Sequence, residues 1–471
     1  MPRKILLLLF GNASSSLILL VRNILVAHLL PVEEFGIASV FIMVTSIAEM
    51  SSNIGLQQQI VQSGRGDEPE VQAALQAFQV LRGLLAALAI AVLAGPLARA
   101  FGIPDTAGTL RILAAVPLIN ALVHFDIYRL NRHMSFGPGI VSTLVPSVVS
   151  VSAVFVLSRW LHDNRLMLWV ILVHSLTMTV TSHLVARRAY RLRLDWGVMR
   201  AGTRFGWPLL INSVLLLAAF QGEKMVVAAN IGMAALAIFS MGFTLTLTPT
   251  LVIAKSVQTF FLPQLSRSDD DSAEFASLSI ATIQGAVLNA VVVVTGAVLL
   301  GPLLVHLLLG PDYALLAELI GVFAVLQGAR VLKTGYSVVA LSRGNTANAM
   351  LSNLPRLVAV AVVFAATRDR PDLELILLVG ILSEVAGTLI ALVLLVSTSG
   401  LGLWACLRPL LVSVPVLGLG MLPWLRGGIA PLGTDPAALT YAGAAVVMLA
   451  ACVTTSRELL GRLFSRHRRK G

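Results

Sequence analysis

Eight lysines and arginines lie inside apolar segments long enough to cross a bilayer: Arg22, Arg82, Arg111, Lys224, Lys255, Arg330, Lys333 and Arg356. A cation at the bilayer centre costs roughly 2.5–3.5 kcal/mol on insertion scales. Eight of them need a water-filled cavity, a polar partner or an anion. The pattern points to a protein that handles something negatively charged within the membrane.

With 57% hydrophobic and 12% charged residues in 471, and a mean hydropathy of +0.88, a soluble globule is excluded. A spanning helix takes about 20 mostly apolar residues. Fourteen such segments are expected, near 5–30, 35–60, 73–98, 109–131, 138–158, 166–186, 205–230, 235–262, 278–308, 314–341, 347–366, 373–397, 404–425 and 436–455. The fold class is therefore an all-α polytopic membrane protein.

Short cytoplasmic loops retain Lys and Arg, which places both termini in the cytoplasm. The 34 basic residues then divide into 20 cytoplasmic, 6 on the far side and 8 intramembrane. The net charge of +11 is thus a topology signal with anionic headgroup contact, and nucleic acid is not an expected partner. The first segment is too long for a signal-peptide core and contains Arg22, so it is expected to remain as the first helix. Cys406 and Cys452 fall in spanning segments and read as small packing residues. No cofactor, metal site, nucleophile constellation or nucleotide loop is expected, and Asp269, Asp270 and Asp271 read as a solvated turn.

Residues 1–190 are expected to form a six-helix lobe and residues 191–204 a basic amphipathic linker at the membrane surface. Residues 205–400 then form a second six-helix lobe, 401–456 two further helices, and 457–471 a basic tail. The lobes read as a repeat, with Phe10-Gly11 and Phe205-Gly206 in register and Arg22 aligned with Lys224 after a one-residue gap. Such repeats suit a transporter that rocks about a path through its middle.

Helical spacing gathers the polar groups into stripes. The first segment places Asn12, Ser16 and Asn23 on one side beside Arg22. The second is polar along Thr45, Glu49, Ser52, Asn53 and Gln57, a cavity-facing pattern, with hydrogen bonding between helices as the alternative for Ser and Asn. The eighth carries Thr244, Thr248, Lys255 and Thr259, with Pro249 set to kink it. The tenth carries Gln327, Arg330, Lys333 or Thr334, and Ser337. Arg330 reads as a cavity cation or as a pair with Glu318 or Glu384, and Lys333 as a cavity cation or one that snorkels to the interface. Arg111 and Arg356 are near enough to helix ends to reach an interface. Arg22 and Lys255 are the leading substrate-contact candidates, followed by Arg330, Lys224 and Lys333. Glu49, Asp126, Glu223, Glu318 and Glu384 are the intramembrane acids, each able to neutralise a cation or carry a coupling proton. His124, with Asn120 and Tyr128 on one face, is a further titratable group.

Several strings in order resemble the polysaccharide-export branch of the multidrug, oligosaccharidyl-lipid and polysaccharide exporter superfamily. Gly11-Asn12 with RNILVAHLLPVEEFGIASV from Arg22 is similar to the family's opening, and NIGLQQQIVQ from Asn53 to the end of its second helix. SVQTFFLPQLSR from Ser256, LLLGPDY from Leu307 and ALSRGN from Ala340 resemble its middle. The resemblance implies two six-helix lobes around a cationic cavity in a bacterial inner membrane. It also implies alternating access by a flippase, not an enzyme, that moves a polyprenyl pyrophosphate-linked glycan to the outer leaflet among membrane lipids, for extracellular polysaccharide or lipopolysaccharide synthesis. Glycan polymerase and export machinery would be its partners. Arg22 and Lys255 match positions of cavity cations in such flippases. Related lipid II flippases also have a cation in the second helix, where this chain has Glu49. A cation-coupled multidrug-type antiporter shares the architecture and would use the intramembrane acids instead. The sequence leaves the glycan, the driving ion and the oligomeric state open.

Overall fold

Hydrocarbon offers no partner for backbone N–H and C=O groups, so a chain this apolar must satisfy them within helices or closed barrels. The computed structural model describes residues 2–269, 272–425 and 436–456, with Leu459 and Gly461. It leaves out the side chains of residues 2–10, 12, 208, 209, 212, 219, 423 and 436–442. Among the described residues it is helical, without a strand.

The elements are α1 (Pro2–Leu29), α2 (Val32–Ser51), α3 (Leu56–Gln62), α4 (Pro69–Ala100), α5 (Ala107–Leu113), α6 (Ala115–Ala121), α7 (Asp126–Arg132), α8 (Gly137–Leu157) and α9 (Arg165–Val185). They continue with α10 (Trp196–Val226), α11 (Met233–Leu265), α12 (Ala273–Leu309), α13 (Ala314–Ser342), α14 (Ala347–Leu351), α15 (Leu354–Ala366), α16 (Leu373–Ser399), α17 (Leu403–Leu425) and α18 (Pro436–Thr455). A π-helical turn over Val227–Ile231 extends α10. Each of the fourteen expected segments falls on one helix or on consecutive helices. Eleven stretches are long and apolar enough to span among the described residues, and twelve if the pair bent by 43° at 121–126 counts as one. The described parts of α1 and α18 are shorter.

Three breaks depart from the expected segments. The second ends at Ser51, where the Asn53 side chain accepts from the Gly55 N–H at 3.0 Å and Gly55 takes φ +68°. This turn separates α2 from α3, so Asn53 and Gln57 do not continue the Glu49 stripe. The fourth is broken into α5, α6 and α7, and the eleventh into α14 and α15. The linker differs too. Residues 186–195 are not helical, whereas Trp196 onward belongs to the 31-residue α10, which Asp195 caps by accepting from the Val198 N–H at 3.1 Å.

The chain divides into two compact units, residues 1–237 and 238–471. In the first unit α8 packs on α1 and α9, α4 on α5 and α6, and α10 on α2, α3 and α4. The seventh segment, expected to open the second lobe, is therefore packed in the first unit. Small residues allow the close approaches. At Gly83 of α4 a Cβ would lie 2.2 Å from that of Ala121 and 2.7 Å from the Pro117 carbonyl oxygen of α6. The loop after α3 is tied by charge, with Asp67 meeting His133 at 2.7 Å, Arg132 at 3.1 Å and Arg129 at 3.6 Å. The His133 hydrogen bond first, then the two arginines, hold the Asp67 carboxyl below its ordinary range.

In the second unit α13 is the most enclosed candidate span, 83% buried, against α12, α16 and α17. Its core gathers Phe261, Phe275, Tyr336 and Leu392, with the Tyr336 hydroxyl donating to the Cys406 carbonyl at 3.1 Å. Cys406 and Cys452 are buried free thiols.

Gly83→Leu should destabilise the protein by about 2–3 kcal/mol, since neither Ala121 nor the Pro117 carbonyl can move aside without shifting α6. Gly95→Ala on the same helix, where a Cβ meets nothing within 4 Å, should be neutral or stabilising by up to about 1 kcal/mol. Thermal unfolding of the two variants in detergent checks the difference.

Candidate functional site

In the second unit, α13, α15 and α16 converge on one carboxylate. Glu384 of α16 accepts from Arg330 Nε at 2.9 Å through one oxygen and from Lys333 Nζ at 2.9 Å through the other, while Arg356 Nη1 approaches to 3.4 Å. All four are buried, Glu384 to 1% and Arg356 to 3% exposure. Arg330 Nη1 also donates to Gln327 Oε1 at 3.1 Å, and its guanidinium lies 4.9 Å from the centre of the Phe243 ring. Lys333 Nζ adds a bond to Asn353 Oδ1 at 2.7 Å.

The sequence builds this cluster simply. Arg330 and Lys333 are three apart on α13 and so share a face. The break between α14 and α15 brings Asn353 and Ser352 alongside, and Gly387, three residues after Glu384, leaves the space. A Cβ at Gly387 would stand 2.4 Å from the Ser352 carbonyl oxygen. Three cations share one acid here. Glu384 has both oxygens occupied and offers little room for a coupling cation.

The expected alternatives resolve accordingly. Arg330 pairs with Glu384, whereas Glu318 is exposed one turn into α13, about 18 Å along the helix from Arg330 at 1.5 Å per residue. Lys333 does not snorkel outward, because Glu384 and Asn353 hold it inside. Arg356 is no interface residue either, since packing encloses it against Glu384. Arg111 is exposed.

Lys255 lies on the open stripe of α11 with Thr259 and Leu251. α11 runs through Pro249 as one helix. Among the described residues Lys255 makes no ion pair. Thr244, on the expected stripe, instead donates to the Ser240 carbonyl of its own helix at 2.6 Å, the local bonding open to a membrane-embedded threonine.

In the first unit, Arg22 of α1 is buried to 8% exposure. Its Nε and Nη2 both donate to the neighbouring Asn23 Oδ1, at 3.2 and 3.0 Å. No carboxylate among the described residues pairs with it, and His174 of α9 lies within its electrostatic reach. Ser16 is exposed and the Asn12 side chain lies outside the described residues. Glu223 is buried and Lys224 half-buried near the end of α10.

A second polar group joins α2, α4 and α6. Glu49 accepts from Asn120 Nδ2 at 2.7 Å. Arg82 lies within electrostatic reach of Glu49 and Tyr128, and its Nη1 donates to the Ser52 carbonyl at 3.0 Å where α2 ends. Asp126 stands apart, fully buried, accepting from Arg129 Nε at 2.6 Å and from the Arg187 backbone N–H at 2.7 Å. His124 joins His183 and Tyr190 in an edge-on ring cluster with centroids 5.1 and 5.4 Å away. The bend at 122–125 is what separates Asn120 from His124. Sequence reasoning gave Arg82 no site role. The missed signal is a stripe of Gln72, Gln76, Gln79 and Arg82 at steps of three and four along α4, all but Arg82 buried.

This fold and these embedded cations define a polytopic membrane protein, and the comparisons give it a family. The chain matches the model of the polysaccharide biosynthesis protein family over residues 25–318 and belongs to that family. It is 23% identical over 249 residues to the succinoglycan biosynthesis transport protein ExoT of Rhizobium meliloti (strain 1021), covering 52% of this chain and 50% of that one. The chain thus spans about half the length of this curated relative in the match. Its fold is similar to that of the lipid II flippase MurJ in an inward closed conformation, with a TM-score of 0.72 at 13% identity over 97% of this chain and 99% of that chain. An inward-facing multidrug resistance MATE family transporter matches with a TM-score of 0.62 at 15% identity over 84% and 94%.

Glu384→Gln should destabilise the protein by about 3–5 kcal/mol, because it leaves buried cations without their acid. Arg356→Met should cost less than about 1 kcal/mol, since Arg330 and Lys333 keep Glu384 paired. Equal losses in thermal unfolding would contradict the shared-acid geometry.

Proposed function

We propose that this protein translocates a polyprenyl pyrophosphate-linked oligosaccharide from the cytoplasmic to the outer leaflet of a bacterial inner membrane, by alternating access. The observation that carries the reading is Arg22, a buried cation in a membrane helix with no carboxylate pairing with it among the described residues. Such a charge is costly in hydrocarbon, and a transiting anion compensates it. Lys255 and Lys224 extend the cationic path. Hydroxyl and amide groups such as Ser16, Asn12 and Asn53 suit sugar, while Glu49, Glu223 and Glu318 are the acids to test for coupling. A pyrophosphate headgroup cannot cross about 30 Å of hydrocarbon unaided, whereas its prenyl tail can stay in lipid. The product, a lipid-linked glycan on the outer leaflet, is what a polymerase or export assembly would consume. No step makes or breaks a covalent bond.

The test is exposure of a labelled polyprenyl pyrophosphate-linked oligosaccharide to an outer-leaflet probe in oriented liposomes. Wild-type protein should raise the rate of exposure, and Arg22→Ala with Lys255→Ala should lower it about tenfold or more, a loss of about 1.4 kcal/mol of transition-state stabilisation. Unchanged exposure in the folded double variant contradicts the cationic path. No exposure by wild-type protein under any ion gradient would favour the cation-coupled small-molecule antiporter, which the MATE-like fold also accommodates.

A further inference from the structure

A cavity of about 570 Å³ opens in the first unit along α2, α4 and α10. Its wall is nearly all apolar. Val44, Leu85, Ile90, Leu93, Leu97 and Phe101 mark its length, and its polar groups, Ser51, Ser52, Arg82 and Thr203, gather where α2 ends. Arg82 fixes that end through Ser52, beside Glu49. At the same end α10 is pressed onto the turn after α2, where a Cβ on Gly206 would lie 2.0 Å from the Ile54 carbonyl oxygen.

From Arg82 to Phe101 the groove follows α4 for 19 residues, about 28 Å at 1.5 Å per residue, close to the ~30 Å depth of the hydrocarbon. Its volume falls within the roughly 300–1,000 Å³ of sites that enclose one small molecule. A single extended chain suits it, rather than the paired chains of a phospholipid. The groove also opens sideways, since Leu85 is 59% exposed, so a chain can enter from lipid without threading. The Arg82 guanidinium makes only its Ser52 bond among the described residues, and Nε is buried without a partner. The charge at the groove's end therefore retains capacity for an anion.

We propose that this groove holds the isoprenoid tail of a phosphorylated polyprenol, with Arg82 meeting the phosphate at its polar end. The inference rests on the flippase reading and deepens it. It gives the tail a protein-lined track within the first unit, and it gives Arg82 a role that Glu49 alone does not explain. Ala86 and Ala89 keep the track open by being small. Leu85, Leu93 and Leu97 supply the flexible apolar contact that a repeating methyl-branched chain requires.

The experiment uses full-length protein in nanodiscs and a polyprenyl monophosphate with a photoreactive diazirine in its tail, without glycan. Irradiation should place adducts on residues of α2 and α4 that line the groove. Ala86→Trp, which fills the track, should reduce them at least tenfold, and Arg82→Gln should reduce them several-fold. Val92→Trp, on the 66% exposed outer face of α4, should leave them unchanged, which controls for folding. A hundredfold excess of phosphatidylglycerol should compete poorly. Adducts spread over the whole lipid-facing surface, insensitivity to Ala86→Trp, or equal competition by phosphatidylglycerol would each overturn the proposal. The probe carries no sugar and need not cross the membrane. Labelling that persists without translocation therefore sinks the flippase reading alone, and translocation that persists without groove labelling sinks the groove alone.

Discussion

Charge placed in hydrocarbon must be compensated, and that one requirement organises most of what is polar in this protein. Around Glu384 it is met internally. Three cations from α13 and α15 converge on one acid of α16, and Gly387 supplies the room for them. Around Arg22 the described residues supply only a neighbouring amide. Around Arg82 it supplies a backbone carbonyl and a carboxylate at a distance. The contrast separates cations that hold the fold from cations with capacity to spare.

The same contrast distributes the roles of the acids. Glu384 is held by its neighbours, and Asp126 is tied to Arg129 and to the Arg187 backbone, so both serve packing in the structure as it stands. Glu49 is different. It is exposed, bonded to one neutral amide, and set at the end of α2 where the helix stops at Ser51. Breaks of this kind in membrane helices are tolerated only where protein or a cavity satisfies the freed backbone, and here Arg82 reaches across to the Ser52 carbonyl. The break, the acid and the cation therefore form one local arrangement.

Much of this was legible in the sequence because the bilayer permits so few structures. Twenty apolar residues without backbone partners can only be helical, and every expected segment lies on helix. The breaks were less legible, since each depends on a local competitor to the helix. Asn53 bonds the Gly55 N–H, and Gly55 adopts a left-handed conformation that a hydropathy pattern does not register. Arg356 was read as an interface residue from its place near a helix end, but α16 covers that end. Glu318 was one of two acids read as a possible partner of Arg330, and its distance along α13 leaves that place to Glu384. The start of α10 had a readable signal in Asp195, a capping residue three before Val198, which the basic composition of the linker masked. Arg82 was visible as a cation, yet its importance depends on Ser52 and on the groove, which only tertiary packing creates.

The central claim is that the embedded cations recognise a diphosphate rather than a sugar or a lipid tail. Native mass spectrometry of the full-length protein with a polyprenyl pyrophosphate-linked oligosaccharide and with the same oligosaccharide on an uncharged prenol tests it most directly. The account predicts retention of the pyrophosphate form at least tenfold above the uncharged form in wild-type protein, with that preference lost in Arg22→Gln. Equal retention of the two forms, or a preference untouched by Arg22→Gln, would contradict it.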